Sequence, residues 1–150
     1  MLNRLQDVFA SLNRCNVRYV VIGGIAAVLH GVPRATFDLD ILIDATPDNA
    51  RHLIDALLAA GLGTAALTTT ADILANEITV FKDRLRIDVQ TSTPGLLFAD
   101  AWANRLSMDY GGQPFHVVCR ADLVRAKRAA GRPVDLEDVR LLEAGDDQPR

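Results

Sequence analysis

Leu2, Leu5, Val8, Phe9 and Leu12 recur at intervals of three and four residues, the spacing of one face of an α-helix. They predict an amphipathic helix over residues 2–13 whose apolar stripe needs a core to rest on. Residues 17–22 form a β-branched and aromatic run that stops at Gly23-Gly24, which reads as a buried strand meeting a tight turn. Residues 25–30 predict a short helix ended by Gly31, and Pro33 forces the chain out of helix before a strand over 35–43. Thr46-Pro47 has the form of an N-cap followed by proline at the first helical position, opening a helix that runs through Leu58 and closes on Gly61.

Residues 62–76 show no clean period and are read as irregular, with Thr68-Thr69-Thr70 offering either a loop or a helix start. Two strand-like runs, 78–82 and 85–91, flank Asp83-Arg84 as a hairpin. Residues 94–105 read as helical, and MDYGGQPFHVVC predicts a second hairpin turning at Gly111-Gly112. Two helices, 121–130 and 135–143, follow on either side of Gly131 and Pro133. No repeat, low-complexity segment or linker interrupts the pattern. It predicts one α+β domain over residues 1–145, a mixed or antiparallel sheet flanked by helices, and a flexible tail at 146–150.

Composition narrows the class. A chain of 150 residues with 49% apolar and 23% charged positions suffices for one packed domain. A net charge of −3 carries no basic excess, so a function resting on broad nucleic-acid or membrane-surface attraction is excluded and any nucleic-acid contact would be local. Cys15 and Cys119 stand alone, without Cys-x-x-Cys spacing, so neither a disulfide framework nor a zinc site is indicated and a cytoplasmic setting fits. The N-terminal helix pattern carries charges throughout, and no apolar run reaches the roughly 20 residues of a membrane helix. Neither a signal peptide, an anchor nor a membrane partner is expected.

The stretch RATFDLDILID places Asp38 and Asp40 two residues apart in a run that otherwise asks for burial. Read as a strand, Arg34, Thr36, Asp38 and Asp40 share one face. Carboxylates at i and i+2 sit about 6 to 7 Å apart at Cα, near enough to share one hard cation. Without a cation they repel and tend to take up protons. A solvated strand edge is the plain alternative for any Asp-x-Asp. Here, however, a strand also ends in Gly23-Gly24 and opens a short helix, so backbone N–H groups are free of a Cβ that would keep an anion away. The row G-G-I-A-A-V does not follow the dinucleotide pattern G-x-G-x-x-G. A third acid, Asp88 in LRIDVQTS, alternates with Ile87 and Val89 on another strand; pairing with Arg84 or Arg86 is its plain alternative. Three carboxylates from adjacent strands beside a glycine turn form the arrangement used for nucleotidyl transfer, in which two Mg²⁺ ions about 3.5 to 4 Å apart take oxygen-only ligands.

The row GGIAAVLHGVPRATFDLDILID resembles the signature of the DNA polymerase β-type nucleotidyltransferase superfamily. More narrowly, GG, then HG, then R-x-T-x-D-x-D is similar to small nucleotidyltransferases related to abortive-infection toxins of bacterial toxin–antitoxin systems. The resemblance implies that Gly23 and Gly24 form the nucleotide-phosphate turn, that Asp38 and Asp40 hold the metals, and that Asp88 is the third acid. LVRAKRAAGRPVDLEDVRLLE is similar to the family's closing pattern, which places Lys127 against the nucleotide phosphates. Its plain alternative makes Asp135 an N-cap, Asp138 the N3 residue and Lys127 a solvated helix charge. The matches span about residues 17–140. The extra helical domain with which larger relatives hold base or acceptor is not expected in so short a chain. His30 reads either as a phosphate contact or as a packed side chain and is not assigned.

The function expected is a Mg²⁺- or Mn²⁺-dependent transfer of a nucleoside monophosphate from an NTP to a hydroxyl on an RNA 3′ end, a protein or a small molecule, with Arg34 helping to neutralise phosphate charge. The toxin of a toxin–antitoxin pair is one role for such an enzyme. The alternative is a catalytically silent domain of the same fold that binds a toxin or antitoxin partner. A purely structural domain would need three coincidences.

Overall fold

Tyr19, Val20, Val21 and Ile22 are all buried, as a strand covered on both faces must be, and the rest of the fold is arranged around them. The computed structural model describes residues 2–146; the tail expected at 146–150 lies outside that range apart from Asp146, which closes the last helix. The elements run α1 (Leu2–Arg14), β1 (Tyr19–Ile22), α2 (Gly23–Leu29), β2 (Leu39–Ile43), α3 (Pro47–Ala59), a 3₁₀ turn (Gly63–Leu67) and α4 (Thr70–Ala75). They continue β3 (Ile78–Lys82), β4 (Arg86–Gln90), α5 (Phe98–Ala103), β5 (Leu106–Tyr110), β6 (Gln113–Val117), α6 (Arg120–Ala130) and α7 (Pro133–Asp146). The six strands form one mixed sheet in the order β3-β4-β2-β1-β6-β5. The pairs β2/β4 and β1/β6 are parallel and the other three antiparallel. This is the single α+β domain that the periodicity predicts, with a nucleotidyltransferase-like architecture.

The amphipathic stripe of α1 finds its core at β6 and α3: Phe9 stacks on Phe115 with ring centroids 4.4 Å apart, and Leu12 is fully buried. Thr46 caps α3 by accepting from the Asn49 N–H at 3.2 Å, with Pro47 in the first turn. Gly111 and Gly112 both take positive φ at the β5–β6 turn, the requirement of a tight hairpin. Among the described residues no helix is long and apolar enough to cross a membrane.

Several boundaries differ from those the pattern predicts, four of them by enough to bear on the site or the core. The strand expected over 35–43 begins only at Leu39, because β1 turns into α2 opposite Asp40 and β4 starts at Arg86, so residues 34–37 lie beyond the ends of both neighbouring strands. Residues 62–76 are not irregular but hold the 3₁₀ turn and α4. A capping box organises α4: Thr69 accepts from the Asp72 N–H, and the Asp72 carboxylate accepts from the Thr69 N–H. The helix expected over 94–105 shortens to α5, and α7 opens at Pro133 rather than at Asp135.

Asn49 ties three elements together. Its buried amide oxygen accepts from the Arg18 N–H at 2.8 Å, and its amide nitrogen donates to the carbonyls of Arg18 at 3.0 Å and Asp44 at 2.9 Å. The segment entering β1 is thereby fixed to the end of β2 and the start of α3. Asn49→Ala leaves these backbone groups unsatisfied and is expected to lower unfolding free energy by about 2–3 kcal/mol in urea denaturation. Removal of the exposed neighbour Asp48, which makes only a 3.6 Å pair with exposed Arg51, should change it by less than about 0.5 kcal/mol.

Candidate active site

Parallel pairing of β2 with β4 sets Asp40 opposite Asp88, and antiparallel pairing of β1 with β2 sets Ile22 opposite Asp40. Gly23 therefore begins α2 directly against the Asp40 side chain. It does so at φ +71°, and a Cβ there would run into the Asp40 carboxylate, so both backbone conformation and space require glycine. A Cβ on Gly24 would lie 3.0 Å from Thr36 Oγ1 and 3.2 Å from Arg34 Nη2. The N-cap of α2 is Ile22, which has no side-chain acceptor to offer the first-turn N–H groups.

A cavity of about 520 Å³ opens over this junction. Gly23, Gly24, Arg34, Asp38, Asp40, Asp88 and Lys127 all line it, so the fold brings together every residue assigned a role from the sequence. Arg34 and Asp38 arrive from the irregular segment before β2 rather than from the strand itself. His30 is not on the cavity wall: its Nε2–H donates to the Val118 carbonyl at 2.7 Å and Arg120 donates to the His30 carbonyl at 3.0 Å. It serves to pin the end of α2 to the segment entering α6.

Burial pushes the Asp40 carboxyl from its ordinary 3.8 up to about 7, assisted by the charge of Asp88, a hydrogen bond with it, and the charge of Asp38. Lys127 pulls in the opposite direction. A second cation, Arg86, engages the other two acids: its Nε and Nη2 donate to the two oxygens of Asp88 at 2.9 and 3.3 Å while Nε lies 3.9 Å from Asp38 Oδ2. The hydrogen bond and charge of Asp88 raise the Arg86 pKa further. The Arg86 pairing that is the plain alternative for Asp88 is thus present, but inside the acidic cluster. In donor chemistry the three carboxylates suit a hard divalent cation, and the guanidinium already stands among them as a positive charge. Among the described residues no group of three or more His, Cys, Asp and Glu side chains is drawn together as a metal cluster.

On the opposite wall, Lys127 is not a solvated charge: its side chain is 7% exposed and its Nζ lies 2.8 Å from Asp138 and 3.5 Å from Asp135. Arg34 closes a fork on the same Asp138, Nε at 3.0 Å and Nη2 at 2.8 Å. Arg132 does likewise on Asp135, at 2.7 and 3.1 Å, and its backbone N–H donates to the same carboxylate at 3.2 Å. Since α7 opens at Pro133, Asp135 reaches back to the residue before the helix instead of capping from ahead of it. Asp138, one turn on, is buried beneath Arg34 and Lys127. Arg86, Arg132, Asp135 and Asp138 are the charged residues that sequence reasoning did not place in the site. The signal for two of them was on view, because Asp135 and Asp138 at i,i+3 share a helix face.

Burial pushes Asp138 upward, yet hydrogen bonds from Arg34 and Lys127 and their charges outweigh it and hold its pKa below the ordinary value. A carboxyl depressed in the folded state adds stability that is present above its unfolded pKa and lost as pH falls through the folded one. Asp138→Asn should therefore destabilise the protein by about 3 kcal/mol at pH 7, with the difference from wild type shrinking below about pH 4. Urea denaturation across that range measures it.

A comparison with curated proteins gives no match. A family described as a nucleotidyltransferase of unknown function (DUF6036) matches residues 2–143. The match takes in the glycine turn, all three acids and the α6–α7 ion network. The chain belongs to that family of nucleotidyltransferases.

Proposed function

We propose that the protein transfers a nucleoside monophosphate from an NTP to a hydroxyl acceptor in this cavity, with Mg²⁺ or Mn²⁺ held by Asp38, Asp40 and Asp88. The observation that carries the reading is the register of β2 on β4, which sets Asp40 beside Asp88 directly under the Gly23 turn. A divalent cation on these carboxylates would supply the Lewis acidity that polarises a phosphate and acidifies a hydroxyl. Asp88, at the cavity wall, takes up the acceptor proton. The acceptor oxygen bonds to the α-phosphorus, the bond from that phosphorus to the α,β-bridging oxygen breaks, and pyrophosphate leaves with the electron pair. Lys127 and Arg34 face the phosphates from the other wall, their positions already set by Asp138 and Asp135, so that little reorganisation accompanies charge development. The acceptor is an RNA 3′ end, a protein or a small molecule; the acidic net charge favours a compact acceptor over a long RNA contact. Such an activity would suit a toxin of a toxin–antitoxin pair.

One observation favours a second reading, a silent domain that binds a partner: Arg86 and Lys127 are both engaged by carboxylates of the protein itself. The two readings separate in one series. With millimolar Mg²⁺ or Mn²⁺ and an NTP at a hundred-fold excess over its Kd, the melting temperature should rise by about 5–10 °C. Wild-type protein should also transfer label from an α-³²P NTP to a component of RNA, protein or metabolite extracts. Asp38→Asn should lower that transfer at least about 100-fold while remaining folded. Absence of a melting shift with all four NTPs refutes the nucleotide site, and binding without any labelling favours the silent domain.

A further inference from the structure

Arg86 stands two residues before Asp88 on β4, so both side chains leave the same face of the strand. The guanidinium engages both oxygens of Asp88 and reaches toward Asp38, bridging two of the three carboxylates from within the cavity they line. Among the described residues its hydrogen bonds all go to Asp88. Its own side chain remains 42% exposed, against 17% for Asp88, so it is the solvent-facing member of the pair. A cation entering the cluster meets an Asp88 with both oxygens already taken, and Arg86 is the partner that has open solvent to move into.

On the reading of Asp38, Asp40 and Asp88 as the metal-holding set, we propose that Arg86 is an internal counter-cation. It neutralises the acids in the metal-free protein and is displaced from Asp88 and Asp38 when a divalent cation binds. The two positive charges compete for the same oxygens. Removing the guanidinium therefore tightens metal binding and at the same time leaves the metal-free acids repelling one another. An Arg86 that merely decorated the hairpin would affect neither. Once displaced, its guanidinium remains on a short tether at the wall of the cavity.

Direct titration with Mn²⁺, read by the electron paramagnetic resonance signal of the free ion and without nucleotide, tests the proposal. Arg86→Met is expected to bind Mn²⁺ about ten-fold more tightly than wild type, the loss of one partly exposed charge-assisted pair. Arg86→Lys, which keeps the charge but not the fork, should fall between them. In melting experiments the Mn²⁺-free Arg86→Met protein should unfold at a lower temperature than wild type, and Mn²⁺ should raise its melting temperature by more. Should Arg86→Met not fold without metal, Arg86→Lys decides: tighter binding than wild type supports displacement, and unchanged or weaker binding overturns it. Equal affinity in all three proteins overturns the role of Arg86 while leaving the metal reading in place. No Mn²⁺ binding in any of them overturns both.

Discussion

Parallel pairing of β2 with β4 holds Asp40 beside Asp88 in a half-buried cleft, where ionisation of Asp40 is unfavourable unless positive charge is supplied. The cleft is furnished accordingly. Positive charge comes from the same strand through Arg86, from α6 through Lys127 and from the segment before β2 through Arg34. Gly23 is constrained by the same pair, since the carboxylate of Asp40 occupies the space that a side chain on the turn would need.

The basic wall has its own logic. Bringing Lys127 beneath the surface requires anionic partners, and Asp135 and Asp138 supply them from α7. Sharing Asp138 with Arg34 couples the closing helix to the segment that carries Asp38. A substitution in α7 thus acts on the cavity without lining its acidic side. His30 adds a mechanical link by fixing the end of α2 to the entry of α6, so the glycine turn and Lys127 are held in one frame.

The sequence by itself determined the order and type of most elements, the glycine turn, the Asp-x-Asp and the third acid on a later strand. These are legible because helix and strand periods, caps and turn chemistry act over a few residues and leave their mark in spacing. Tertiary structure alone decided where β2 begins, since a strand ends where its neighbours end. It alone chose Arg86 over Arg84 as the partner of Asp88, because β4 begins at Arg86 and leaves Arg84 in the turn, so only Arg86 shares the strand face of the carboxylate. It likewise turned Lys127 from a helix charge into a buried one, because the aspartates that hold it come from another helix and the arginine that shares Asp138 lies 104 residues away. Charge–charge contacts of that kind carry no local period, so only the folded chain brings them into view.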